Sequence, residues 1–144
     1  MPNIVLKTIL LMLGGLLTAN VALAKTCTPA DAESADMAID SLNSWSAINQ
    51  HRFKFGHCDA GDISEGVSEA VARLLADRWD TLPDLAIEIR KNPPLKKYVL
   101  RHIDSTIDTK DLDKIGNQAA HSCPAKEEKL CGEIKVAAGK AAEE

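Results

Sequence analysis

Four cysteines and four histidines are the residues of this 144-residue chain whose types and spacing could do chemistry. His57 stands beside Cys58, and His121 lies two positions before Cys123, so zinc ligation is one reading. Zinc sites, however, are built on tight Cys-x-x-Cys or His-x-x-x-His pairs, and neither spacing occurs. The other reading is two disulfides among Cys27, Cys58, Cys123 and Cys131, an even count that suits an oxidising compartment. Three connectivities are possible. Locality favours Cys123 with Cys131, which leaves Cys27 with Cys58, but the sequence does not choose among the three. Eight positions on one straight helix span about 12 Å, too far for a bridge. That pairing therefore requires a chain reversal after Cys123, where Pro124 is placed to provide it.

The remaining polar groups nominate no catalyst. Asp59, Asp62 and Glu65 flank Gly61, yet a calcium loop needs oxygen ligands at alternate positions over about twelve residues. Asp62 with Glu65 reads instead as a capping box at a helix start. His102, Asp104 and Ser105 contain the ingredients of a hydrolytic triad. Residues two apart on a helix point to different faces, so His102 is expected at a helix surface, out of reach of Asp104. Arg52, Phe53, Lys54 and Phe55, between His51 and His57, form a small basic and aromatic patch. A net charge of −4, from 17 basic against 21 acidic residues, argues against nucleic acid as its partner. Phe53 and Phe55 are expected to cover the helix end, and Lys96 and Lys97 to form a solvated face. Neither a glycine-rich phosphate loop nor a His-Glu-x-x-His motif is present, and the expectation is a non-enzymatic protein without cofactor or metal.

The elements that must position these groups are helices. Residues 1–24 have the layout of a secretory signal: Lys7, an apolar run from Thr8 to Leu17, and Ala22-Leu23-Ala24 as a cleavage site. The run is too short for a permanent membrane span. Removal after Ala24 leaves residues 25–144 as a single domain with 16 basic and 21 acidic groups, periplasmic and free of the membrane. In that domain Ala35, Ala38, Ile39, Leu42, Trp45 and Ile48 recur at helical spacing, which predicts one long helix from Asp31 to about Phe53. Ile63 to Trp79 continues the pattern after the Gly56–Gly61 turn. A shorter helix follows, capped by Thr81 with Pro83 in its first turn, and Asn92-Pro93-Pro94 ends it. Leu95 to about Ile103, a helix capped by Thr109, and a last helix carrying Leu130, Ile134 and Val136 complete the chain, with residues 140–144 fraying. Trp45 and Trp79 sit on apolar stripes as packing anchors. The expected fold is all-α, a compact bundle of five to six helices stapled by disulfides.

Three stretches carry a resemblance: Ser68 to Pro83 (SEAVARLLADRWDTLP), Tyr98 to Asp104 (YVLRHID), and Ala120 to Pro124 (AHSCP) followed by Leu130-Cys131. Together, over about Met37 to Val136, they resemble small exported bacterial proteins of the type VI secretion amidase-immunity kind. The resemblance implies an all-helical periplasmic protein, often a homodimer, that occludes the cleft of a peptidoglycan-cleaving amidase effector. A cleft-plugging protein needs a rigidly presented loop, and an acidic one is steered toward a basic target. The turn bearing His57, Asp59 and Asp62, pinned by Cys58, is the first candidate for the inserting element. Asp80 to Asp84 is the second, with Asp80 and Asp84 its charged groups. The alternative is a helical envelope protein, structural or stress-related, with no toxin partner.

Overall fold

The computed structural model describes residues 24–144; the expected leader lies outside the described residues apart from its last, Ala24. Seven α-helices and three short 3-10 turns follow one another, and there is no strand among the described residues. The helices are α1 (Pro29–Met37), α2 (Trp45–Phe55), α3 (Gly61–Asp77), α4 (Leu82–Lys91), α5 (Pro94–Arg101), α6 (Thr109–His121) and α7 (Glu128–Ala141). The all-α class holds; the count is one more than expected.

The extra helix comes from a break in the predicted Asp31–Phe53 helix. After α1 the chain tightens into a 3-10 turn, Ile39–Ser41, and Leu42 leaves helical geometry. Ser44, in extended conformation, then starts α2 by accepting the Ala47 amide on its hydroxyl, satisfying a donor that a helix start leaves free. Apolar periodicity alone does not register such a break, because Ala35 in α1, Leu42 between the helices, and Trp45 and Ile48 in α2 are all buried. The expected capping box is also absent. The residue before α3 is Ala60, without a side-chain cap, and Asp62 lies inside the first turn, where its charge meets the positive end of the helix dipole. Asp108, not Thr109, caps α6, by accepting the Lys110 amide. Thr81 precedes α4 but spends its hydroxyl otherwise: it donates to the Arg78 carbonyl and accepts from the Trp45 indole at 3.0 Å.

α3 is the central element. Val67, Ala70, Val71, Leu74 and Leu75 bury its apolar stripe in one core, together with Trp45, Ile48, Leu82, Leu85, Leu95, Val99, Ile115 and Ile134 from the surrounding helices. Both tryptophans anchor that core as expected, and the Trp79 indole donates to the Ser122 carbonyl at 2.8 Å. A Cβ on Gly66 would stand 2.9 Å from the Ile39 side chain, so α3 approaches the turn after α1 as closely as glycine permits. α6 and α7 pack along each other, and Cys123–Cys131 closes the reversal between them at Pro124, with Lys126 at φ 75° in the turn. Cys27–Cys58 ties the N-terminal end to the α2–α3 corner, in a small satellite cluster with Ala35 and Phe55. With every cysteine bridged, no thiolate remains for zinc, and the folded chain belongs to an oxidising environment. α7 runs on to Ala141, which is buried.

The two bridges close loops of very different length, with sequence separations of 31 and 8. Loop-closure entropy makes the longer one worth about 3.7 kcal/mol and the shorter about 2.5 kcal/mol. Replacing Cys27 and Cys58 together by serine is therefore expected to lower the urea midpoint more than replacing Cys123 and Cys131. Equal or reversed losses would contradict that ordering.

Candidate functional site

The densest polar cluster joins the α2–α3 corner to the end of α5. The 3-10 turn Gly56–Cys58 ends α2, and Gly61, at φ 55°, opens α3 in a conformation that glycine adopts without strain. Cys58 is held by its disulfide, and the His57 ring contacts the Asp31 carboxylate of α1 at 3.1 Å. That hydrogen bond, with smaller contributions from Thr28 and Lys25, holds the Asp31 carboxyl below the usual range.

Asp59 turns its carboxylate inward. The side chain is 4% exposed, and its Oδ2 accepts from Nε2 of His102 at 3.1 Å and from the Arg101 guanidinium. His102, 1% exposed, presents Nδ1 to the Ser68 hydroxyl of α3 at 2.9 Å. Ser68, fully buried, donates in turn to Asp104 at 2.7 Å. A hydroxyl has one proton, so with that proton on the Asp104 side the Ser68 oxygen accepts from the ring. The other carboxylate oxygen of Asp59, Oδ1, is buried without a hydrogen-bond partner. Tyr98 packs edge-on against the same ring at 4.5 Å. Burial pushes the Asp59 carboxyl up, but the hydrogen bond and charge of His102 and the charge of Arg101 outweigh it and leave the group below its ordinary value. Asp104 follows the same balance: burial raises it, and bonds from Thr106 and Ser68 bring it below the usual range.

A serine, a histidine and an aspartate therefore do meet, but from Ser68, His102 and Asp59, not from the adjacent residues at 102–105. The arrangement is a clamp. A nucleophile must reach its substrate, and the Ser68 oxygen lies inside the protein with its proton committed to a carboxylate. Helical spacing misplaced His102 because α5 stops at Arg101 and His102 is already its C-cap, where the chain turns the ring inward. His102 and Asp104 do not bond to one another; Ser68 bridges them. The only signal for Ser68 was a hydroxyl on the otherwise apolar stripe of α3, and Arg101 gave none.

The five residues singled out for partner contact divide among three places. His57, Asp59 and Asp62 share the corner, with His57 paired to Asp31 and Asp59 enclosed in the clamp. Asp62 is exposed and lines a groove between α3 and α6 with Glu65, Glu69, Asp108 and Asp111, faced by the single cation Arg73. Asp80 and Asp84 lie elsewhere. Asp80 is exposed beside Arg78 at 4.0 Å, and Asp84 lines a groove with Trp45, Arg78 and Lys91.

Removing His102 would cost buried Asp59 and buried Ser68 one hydrogen bond each, a loss of about 3 kcal/mol. His102→Leu is expected to lower stability by that order, and Ser68→Ala by about 1 to 2 kcal/mol; denaturant unfolding measures both. The depressed Asp59 and Asp104 carboxyls set a pH dependence. Their contribution is complete above the unfolded-state value of about 4 and is lost as pH falls through the lower folded values. Asp59→Asn should flatten this acid limb of the stability profile, and a limb as steep as in the unaltered protein would contradict it.

Comparison of the chain with family models, with curated proteins and with solved structures finds no match.

Proposed function

We propose that this protein is an exported, non-enzymatic inhibitor of the immunity kind, which blocks a peptidoglycan-cleaving amidase by seating its α2–α3 corner in the enzyme's cleft. The observation that carries the reading is the fixing of that corner from three sides: Cys27–Cys58, His57 on Asp31, and Asp59 on His102 and Arg101. A segment fixed before binding loses little conformational freedom on docking, so more of its contact energy appears as affinity. The exposed carboxylates beside it, Asp62 and Glu65 with Glu69 of α3, suit a basic rim around a cleft and speed encounter with it. Two disulfides in the folded chain fit work in the periplasm, where such amidases act.

Co-expression with candidate exported amidases tests the reading. Rescue of cells from periplasmic lysis, together with inhibition of the purified enzyme, is the expected outcome. His57→Ala combined with Asp62→Lys should weaken inhibition about tenfold or more while the protein stays folded. Inhibition that survives this change but fails in Asp80→Lys with Asp84→Lys would move the contact to the start of α4. The absence of rescue with any amidase would remove the function itself.

A further inference from the structure

Two cationic runs that look unrelated in the sequence meet at one cleft. Arg52 and Phe53 from the end of α2, His57 from the corner, Lys97, Tyr98 and Arg101 from α5, and Lys25 line a depression of about 530 Å³. It contains four cations and no carboxylate in a protein whose net charge is −4. Two of the four are already matched elsewhere, Lys25 by Asp31 and Arg101 by Asp59. Arg52 and Lys97 form no ion pair among the described residues; Arg52 bonds only the neutral Asn49 side chain.

Two further observations concern the same place. Tyr98 is 7% exposed, and its hydroxyl has no hydrogen-bond partner, a state rare for buried polar groups and costly unless a bound molecule or water supplies the partner. Burial and the nearby Asp59 carboxylate push that phenol's pKa up, and the charges of Arg101 and Arg52 act in the opposite direction. Phe53, expected to cover the helix end, is instead 86% exposed at the rim, while Phe55 alone turns inward. A large apolar ring held in water beside unmatched cations has no role in holding the fold.

We propose that this cleft binds the dianionic phosphoryl group of a phosphate monoester, with an apolar body resting on Phe53. Two uncompensated cations match a dianion better than a single carboxylate. The Arg52 guanidinium offers paired donors in the geometry of phosphate oxygens, and Lys97 adds a point charge. The Tyr98 hydroxyl supplies a neutral donor that gains its missing partner. The phosphoryl group can belong to a soluble ester or to the headgroup of an anionic lipid, and the chemistry of recognition is the same. The site does not depend on the inhibitor reading.

Titration of the oxidised protein with phenyl phosphate, followed by amide chemical shifts, tests it. Saturable shifts at residues 52–57 and 97–101 are expected, with inorganic phosphate binding more weakly because it lacks a body for Phe53. Arg52→Ala with Lys97→Ala should weaken binding about tenfold or more, and Tyr98→Phe should weaken it while the helical circular dichroism is unchanged. Neither cation belongs to the Asp59 clamp, so folding is not at stake in the double variant. Flotation with phosphatidic acid vesicles identifies the source: co-flotation abolished by Phe53→Ala marks a lipid, and soluble binding without flotation marks a free ester. Absence of saturation at millimolar phenyl phosphate, or shifts indifferent to the double variant, would overturn the proposal.

Discussion

A carboxylate taken out of water destabilises a protein unless charge and hydrogen bonds replace its hydration, and the form of the α2–α3 corner follows from how Asp59 meets that demand. His102 and Arg101 reach it from the end of α5, and His102 is itself fixed through Ser68 on α3 and Asp104 beyond α5. A short stretch between helices is thereby referred to three parts of the fold at once. Such contacts stabilise only in the native geometry, so they favour one conformation of the corner over its neighbours.

The disulfides act on the same segment and on its opposite number. Several helices here are short, α5 being eight residues and α1 nine, and isolated helices of that length are marginal in water. Packing on neighbouring helices supplies what they lack, α1 against α2 and α3, and α5 against α2, α4 and α7. Covalent links add to it in two places: Cys27–Cys58 in the satellite cluster and Cys123–Cys131 at the α6–α7 reversal, against the main core. Surface charge is then free to be distributed for other ends. Carboxylates gather between α3 and α6, and cations gather between α2 and α5.

The helices, the tryptophan anchors and the reversal at Pro124 are legible in the sequence because each rests on a local rule: apolar spacing, proline geometry, or the reach of a disulfide. The failures are equally physical. The break at Leu42–Ser44 was hidden because both helices keep their apolar residues in phase across it. Asp59 reads as a turn carboxylate available to a partner, and only the approach of α5, some forty residues away, shows it engaged inside. His102 looks like a surface residue for as long as α5 is taken to continue past Arg101. The cationic cleft is nonlocal in the same sense, since Arg52 and Lys97 belong to separate helices whose meeting no spacing rule reports.

Native-state hydrogen exchange of the oxidised protein addresses most directly whether the corner is fixed by its buried charges. The Ala60 amide, bonded to the Cys58 carbonyl, and the His102 amide, bonded to Tyr98 and Val99, report on its two sides. The expected result is that both exchange only through openings as costly as global unfolding, as the buried centre of α3 does. Exchange of either near the rate of an unstructured peptide, with α3 still protected, would contradict the account.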